Sequence, residues 1–171
     1  MTLTKPKLAA KSMNVRAPNR VTHTYKQRLN GSMSKVFPLL CPVREAEWID
    51  GWQPVFVLSE SGVAEADCVF VSDAEPQDAV WYITRHEPAR GFVEMIKITP
   101  LVTACKLTIQ VREAAGGCTA DVTYSHTSLG PLGDTFIASF TPEYYVQFMR
   151  EWENRMNHFL SHGEPLRAAA G

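Results

Sequence analysis

The residues best suited to chemistry sit on strand-like segments. Tyr124 and His126 stand two positions apart in Cys118–Ser128, so a strand there carries both on one face. Beside a carbonyl, an imidazole can remove a proton while a phenol supplies one or steadies the developing oxyanion. Glu94 is a second candidate base. It faces Arg85 if Ala79–Glu87 and Phe92–Thr99 pair across Pro88-Ala89-Arg90-Gly91. Buried charge is costly unless paired. An inward Arg85–Glu94 couple is therefore either a structural ion pair or an anchor for a ligand head group, and both readings stay open. The catalytic candidates are His126, Glu94 and Tyr124, and no sequence motif joins them.

Three other groupings carry less. Cys41 and Glu45 form a C-x-x-x-E pair, with Glu65, Asp67 and Cys68 further on, but a metal site needs a second close ligand. The simpler account is packing for Cys41, Trp48 and Trp52, and surface ion pairs for Arg44 and Glu45. His158 and His162 stand one helical turn apart, where imidazolium also complements a helix C-terminus. Gly130-Pro131-Leu132-Gly133-Asp134, leading into Thr135–Phe140, lacks the spacing of a phosphate loop and suits a flap over a pocket mouth. No metal and no cofactor is expected.

These side chains need elements to position them. The dominant one is a C-terminal helix, with Thr141 as N-cap, Pro142 at N1, Glu143 at the positive dipole end and Gly163 as the left-handed stop. Roughly 20 residues at 1.5 Å rise reach about 30 Å, enough to cross a small domain. Tyr145, Phe148, Met149, Trp152, Met156, Phe159 and Leu160 share one face. Upstream, Thr22–Leu29 reads as a first strand ending at Asn30-Gly31. Short helical turns follow from Met33 to about Leu40 and from Val43 to Ile49. Hairpins are expected at Gln53–Ser59 with Glu65–Val71, Ala79–Glu87 with Phe92–Thr99, and Leu101–Arg112 with Cys118–Ser128. The result is an α+β fold of about seven antiparallel strands, two short helices after the first strand, and a long helix last.

The last hairpin has the clearest faces. Thr103, Cys105, Leu107, Ile109 and Val111 point inward, as do Cys118, Ala120, Val122, Tyr124 and His126, with Leu107 opposite Tyr124 and Cys105 opposite His126. In the middle hairpin the favoured register sets Trp81 against Ile98, Ile83 against Ile96 and Arg85 against Glu94, all inward. A slip of one residue exchanges the faces. The candidate ligand wall is then Trp81, Ile83, Arg85, Glu94, Ile96, Cys105, Leu107, Tyr124, His126, Tyr145, Phe148, Met149 and Trp152. The same stripe would serve equally as a filled core.

Composition narrows the partners. The chain has 171 residues and a net charge of −1. Residues 1–20 hold Lys5, Lys7, Lys11, Arg16 and Arg20 and no acid, so they read as a basic, solvated tail. The body, residues 21–163, is acidic, and residues 164–171 form a second tail. An acidic body without a basic stripe argues against nucleic acid. No apolar run suits membrane insertion, and no apolar leader suggests export. Cys41, Cys68, Cys105 and Cys118 are widely spaced, as expected for reduced thiols in a cytoplasmic protein. Oligomeric state is left open.

Several runs also resemble a known group. VFPLLCPVREAEWIDGW, Val36–Trp52, and SGVAEADCVF, Ser61–Phe70, resemble the START-like or SRPBCC superfamily, as do VWYITRHEP, IKITP and EYYVQFMREWENRMNHFL. The likeness spans residues 20–163 and is nearest to bacterial members grouped with polyketide cyclases and dehydratases. It implies a helix-grip fold, in which a curved sheet wraps the C-terminal helix around an apolar cavity. Members bind lipids, sterols, hormones or polyketides, and a minority are enzymes. The iron-binding trio of Rieske-type relatives has no counterpart here. Binding of a small apolar or amphipathic molecule is the leading expectation. A cyclase- or dehydratase-type enzyme in the same cavity is the alternative, and a partner-binding module with a closed core is the third.

Overall fold

The computed structural model describes residues 13–167. Seven strands form one antiparallel sheet: β1 (Arg20–Leu29), β2 (Phe56–Leu58), β3 (Val69–Ser72), β4 (Ala79–Glu87), β5 (Phe92–Thr99), β6 (Thr103–Ala114) and β7 (Gly117–Ser128). Their spatial order is β1-β7-β6-β5-β4-β3-β2, which leaves β1 and β2 at the edges. After β1 comes a single helical turn, α1 (Met33–Val36), continued as 3₁₀ turns at Phe37–Leu39 and Arg44–Glu47 because Pro38 cannot extend an α-helix. Two helices close the chain, α2 (Pro131–Ser139) and α3 (Pro142–His162). The Lys5, Lys7 and Lys11 part of the expected basic tail lies outside the described residues.

α3 starts and stops as its end residues dictate. The Thr141 hydroxyl accepts from the Tyr144 amide at 3.2 Å, Pro142 occupies the first turn, and Gly163 closes the helix at φ 74°. Tyr145, Met149 and Met156 are buried on its inner face. The helix is also tied to the free edge of the sheet. Arg28 N–H donates to Glu153 (2.8 Å), Asn30 N–H donates to Asn157 Oδ1 (2.8 Å), and Asn157 Nδ2 donates to the Arg28 carbonyl (2.9 Å). Gln27, buried on β1, donates to the Met149 carbonyl at 3.1 Å. These bonds satisfy backbone groups that an edge strand would otherwise leave open.

The β6–β7 hairpin has the expected register, with Leu107 opposite Tyr124, Cys105 opposite His126 and Glu113 opposite Cys118. Its inner residues are buried throughout. The β4–β5 hairpin differs from expectation. Val80 faces Ile98, Trp81 faces Lys97, Tyr82 faces Ile96 and Ile83 faces Met95; a bulge at Thr84 then restores Arg85 opposite Glu94. The extra residue puts Thr84 and Arg85 on the same, outer side. Trp81, Ile83, Val93 and Met95 therefore face inward, whereas Arg85, Glu94 and Ile96 do not.

Two further expectations change. β2 and β3 are shorter than the proposed segments 53–59 and 65–71, since the loop between them makes its own bonds: Ser59 Oγ donates to the Val63 carbonyl at 2.6 Å and to Glu65 at 2.9 Å. The segment expected as a flap is a helix, α2, with Pro131 in its first turn. Gly133 packs against the Val102 carbonyl, where a Cβ would have no room. The four cysteines are buried and free. No described helix is long and apolar enough to cross a membrane.

Candidate functional site

Between the concave sheet and α3 lies a cavity of about 360 Å³. Its floor is Phe70, Trp81, Met95, Lys97, Leu107, Ile109, Tyr124 and His126. Phe148 and Trp152 of α3 form the roof, Phe136 and Phe140 one end, and Leu40, Pro42, Glu45, Ile49 and Trp52 the other. Six residues of the wall expected from sequence line this space: Trp81, Leu107, Tyr124, His126, Phe148 and Trp152.

The remaining seven lie elsewhere. Ile83, Cys105, Tyr145 and Met149 are fully packed in the core. Tyr145 spends its hydroxyl on the Val122 carbonyl at 2.6 Å, which fixes α3 to β7. Ile96 faces outward by the register described above. So do the two charged candidates. Arg85 donates to Glu87 at 2.7 Å and stacks over Phe92, while Glu94 accepts from Thr84 at 2.9 Å. The polar pair expected in the cavity is a surface feature, and Glu94 has no access to a ligand there.

Lys97 and Glu45 take that place. The cross-strand row Trp81, Lys97, Cys105, His126 runs over four neighbouring strands with every member inward. Lys97 Nζ sits 4.9 Å from the Trp81 ring centre, a cation–π contact, and forms no ion pair among the described residues. Trp81 is oriented by Ser72, whose hydroxyl accepts from the indole at 2.9 Å, and by stacking on Phe70. Glu45 is half-buried and faces the cavity, not the surface. Its neighbour Arg44 pairs instead with Glu47, at 2.8 Å. The spacing Glu45, Trp48, Ile49, Trp52 is helical and could have revealed that face from sequence.

His126 is wedged among aromatics. Phe136 and Phe140 each present an edge at 4.7 Å, and Tyr124 stacks at 5.8 Å. The residue is 4% exposed, and its Nδ1 is buried with no hydrogen-bond partner. Burial, aided by the Lys97 charge, depresses its pKa to about 4, so the ring is neutral at pH 7. Burial acts oppositely on acids. It raises the Glu45 carboxyl to about 8, the Cys105 thiol to about 12, and the Tyr124 phenol well above its usual range. Lys97 is shifted downward, again by burial. The cavity thus favours neutral groups. Among the described residues no cluster of three His, Cys, Asp or Glu could hold a metal ion.

No protein-family model matches the chain, and no curated protein matches it. Solved structures do. Norcoclaurine synthase from Thalictrum flavum superposes with a TM-score of 0.63 at 8% identity, over 92% of this chain and 99% of its own. The chain has the helix-grip fold. Ara h 8.0201 agrees at TM-score 0.61 and 13% identity, over 84% of this chain and 100% of its own. The Mll3558 protein from Rhizobium loti gives 0.60 and 12%, over 82% and 99%.

Two predictions follow from the void and its protonation. Met149→Ala removes a fully packed side chain and should cost about 2–5 kcal/mol in urea unfolding. Trp152→Ala, despite the larger truncation, should cost less than about 3 kcal/mol because the void already borders the indole; a larger loss would mean the space is closed in solution. Glu45 releases its proton near 4.5 in the unfolded chain but near 8 in the fold, so its contribution to stability falls as pH rises between those values. His126 has the opposite sign, destabilising as pH falls from 6.5 towards 4. From pH 6.5 to 8 the stability of Glu45→Gln relative to the native protein should therefore rise, by roughly 2 kcal/mol. Equilibrium unfolding at the two pH values checks it, and an unchanged gap refutes the buried carboxyl.

Proposed function

We propose that this protein binds a small apolar or amphipathic molecule in the cavity beneath α3. The observation that carries the reading is an aromatic-lined space of about 360 Å³ between α3 and the sheet, bordered by α2 and the turns after α1, with a few polar groups converging on it. Such a void costs stability unless something fills it, and a wall of Trp81, Phe148, Trp152 and Met95 suits an aromatic or lipid-like body. The closed-core partner module is disfavoured because the core is not closed. N-Phenylnaphthylamine, a neutral dye that brightens in apolar surroundings, should bind with one-to-one stoichiometry. Leu107→Trp, which fills the floor, should abolish binding while the protein remains folded by circular dichroism. No binding to the native protein, or equal binding to the filled variant, would sink the reading.

A cyclase- or dehydratase-type enzyme in the same space is the second reading. What favours it is the neutral His126 imidazole stacked beside the Tyr124 phenol on the cavity floor, two groups able to exchange protons with a ligand. The fold neighbour norcoclaurine synthase is a named synthase. Under this reading His126→Asn keeps dye binding and loses turnover of a converted ligand. Turnover unaffected by the substitution would remove His126 from the chemistry.

A further inference from the structure

Lys97 and His126 stand on β5 and β7, each directly opposite Cys105 of β6. With strands about 4.8 Å apart, their backbones are separated by about 9–10 Å, a gap of one intervening strand, and both side chains line the cavity. At that gap the cavity floor offers an ammonium with no counter-ion among the described residues. It also offers an imidazole, 4% exposed, whose buried Nδ1 has no hydrogen-bond partner among the described residues. His126 Nδ1 is sealed off without an acceptor, so the proton is better placed on Nε2. The acids on the wall do not neutralise the lysine: neither Asp73, which is exposed, nor Glu45, on the turns that follow α1, forms an ion pair with it. A half-buried cation without an ion-pair partner is unfavourable, and an anionic ligand group would relieve it.

Resting on the ligand-binding reading above, the geometry points to amphipathic organic acids as the ligand class. A carboxylate or similar oxyanion sits between Lys97 Nζ and His126, and its apolar body lies against Trp81, Phe148 and Trp152. Burial keeps His126 neutral at pH 7, so it serves as a donor through Nε2 and not as a second cation. One charge on the floor matches one charge on the head group.

The test uses two dyes that share a skeleton, N-phenylnaphthylamine and its sulfonated form, anilinonaphthalene sulfonate, titrated into the full chain and into Lys97→Met. The substitution should weaken the sulfonate by about tenfold or more and leave the neutral dye within about twofold, since only one dye meets the ammonium. Retained binding of the neutral dye also shows that the variant is folded. Should the native protein bind the neutral dye but not the sulfonate, or should Lys97→Met weaken both or neither, the inference is overturned while the ligand-binding reading stands. If neither dye binds the native protein, the ligand-binding reading itself has failed.

Discussion

The interior of this protein depends on where α3 is anchored. Its polar side chains, Glu153 and Asn157, close the open backbone of β1, and the Met149 carbonyl receives Gln27 from the same strand. Tyr145 adds a bond to β7. All four ties lie at one side of the sheet. These bonds, with the burial of Tyr145, Met149 and Met156, seat the helix over β1 and β7. It therefore cannot also fill the concavity above β4, β5 and β6. The space is a consequence of edge protection.

That space then governs the chemistry of whatever faces it. Ionised groups lose hydration there, and Glu45, Tyr124 and His126 on the wall move towards their neutral forms. Lys97 moves the same way but keeps a favourable contact with the Trp81 face. The aromatic wedge around His126 does a second job: it removes rotational freedom from a ring whose buried nitrogen has nothing to bond among the described residues. The ring is held ready at the cost of an unsatisfied atom.

Much of the architecture was legible in the residues, and the failures are local. α3 declared both its ends, and β6 and β7 declared their faces, because strict alternation and a short turn leave no freedom of register. The bulge at Thr84 leaves no comparable sign, so strict alternation reads Arg85, Glu94 and Ile96 as inward. Gly130, Pro131 and Gly133 looked like loop punctuation, yet proline suits a first helical turn and Gly133 serves close packing. Glu45 was placed at the surface by its charge although its spacing with Trp48, Ile49 and Trp52 matched the inner face. Charge is a poor guide to position where a void stands in for solvent.

The bulge also gives β4 a spare residue. Thr84 and Arg85 share the outer side against a single partner, so a chain lacking Thr84 would still hold Trp81 and Ile83 inside and Arg85 outside. Loss of one residue at other points of the strand would turn part of it over, carrying a guanidinium into the lumen or an indole out to water. Length variation in this strand is thus accommodated at one point, and with or without the spare residue Arg85 stays away from Lys97.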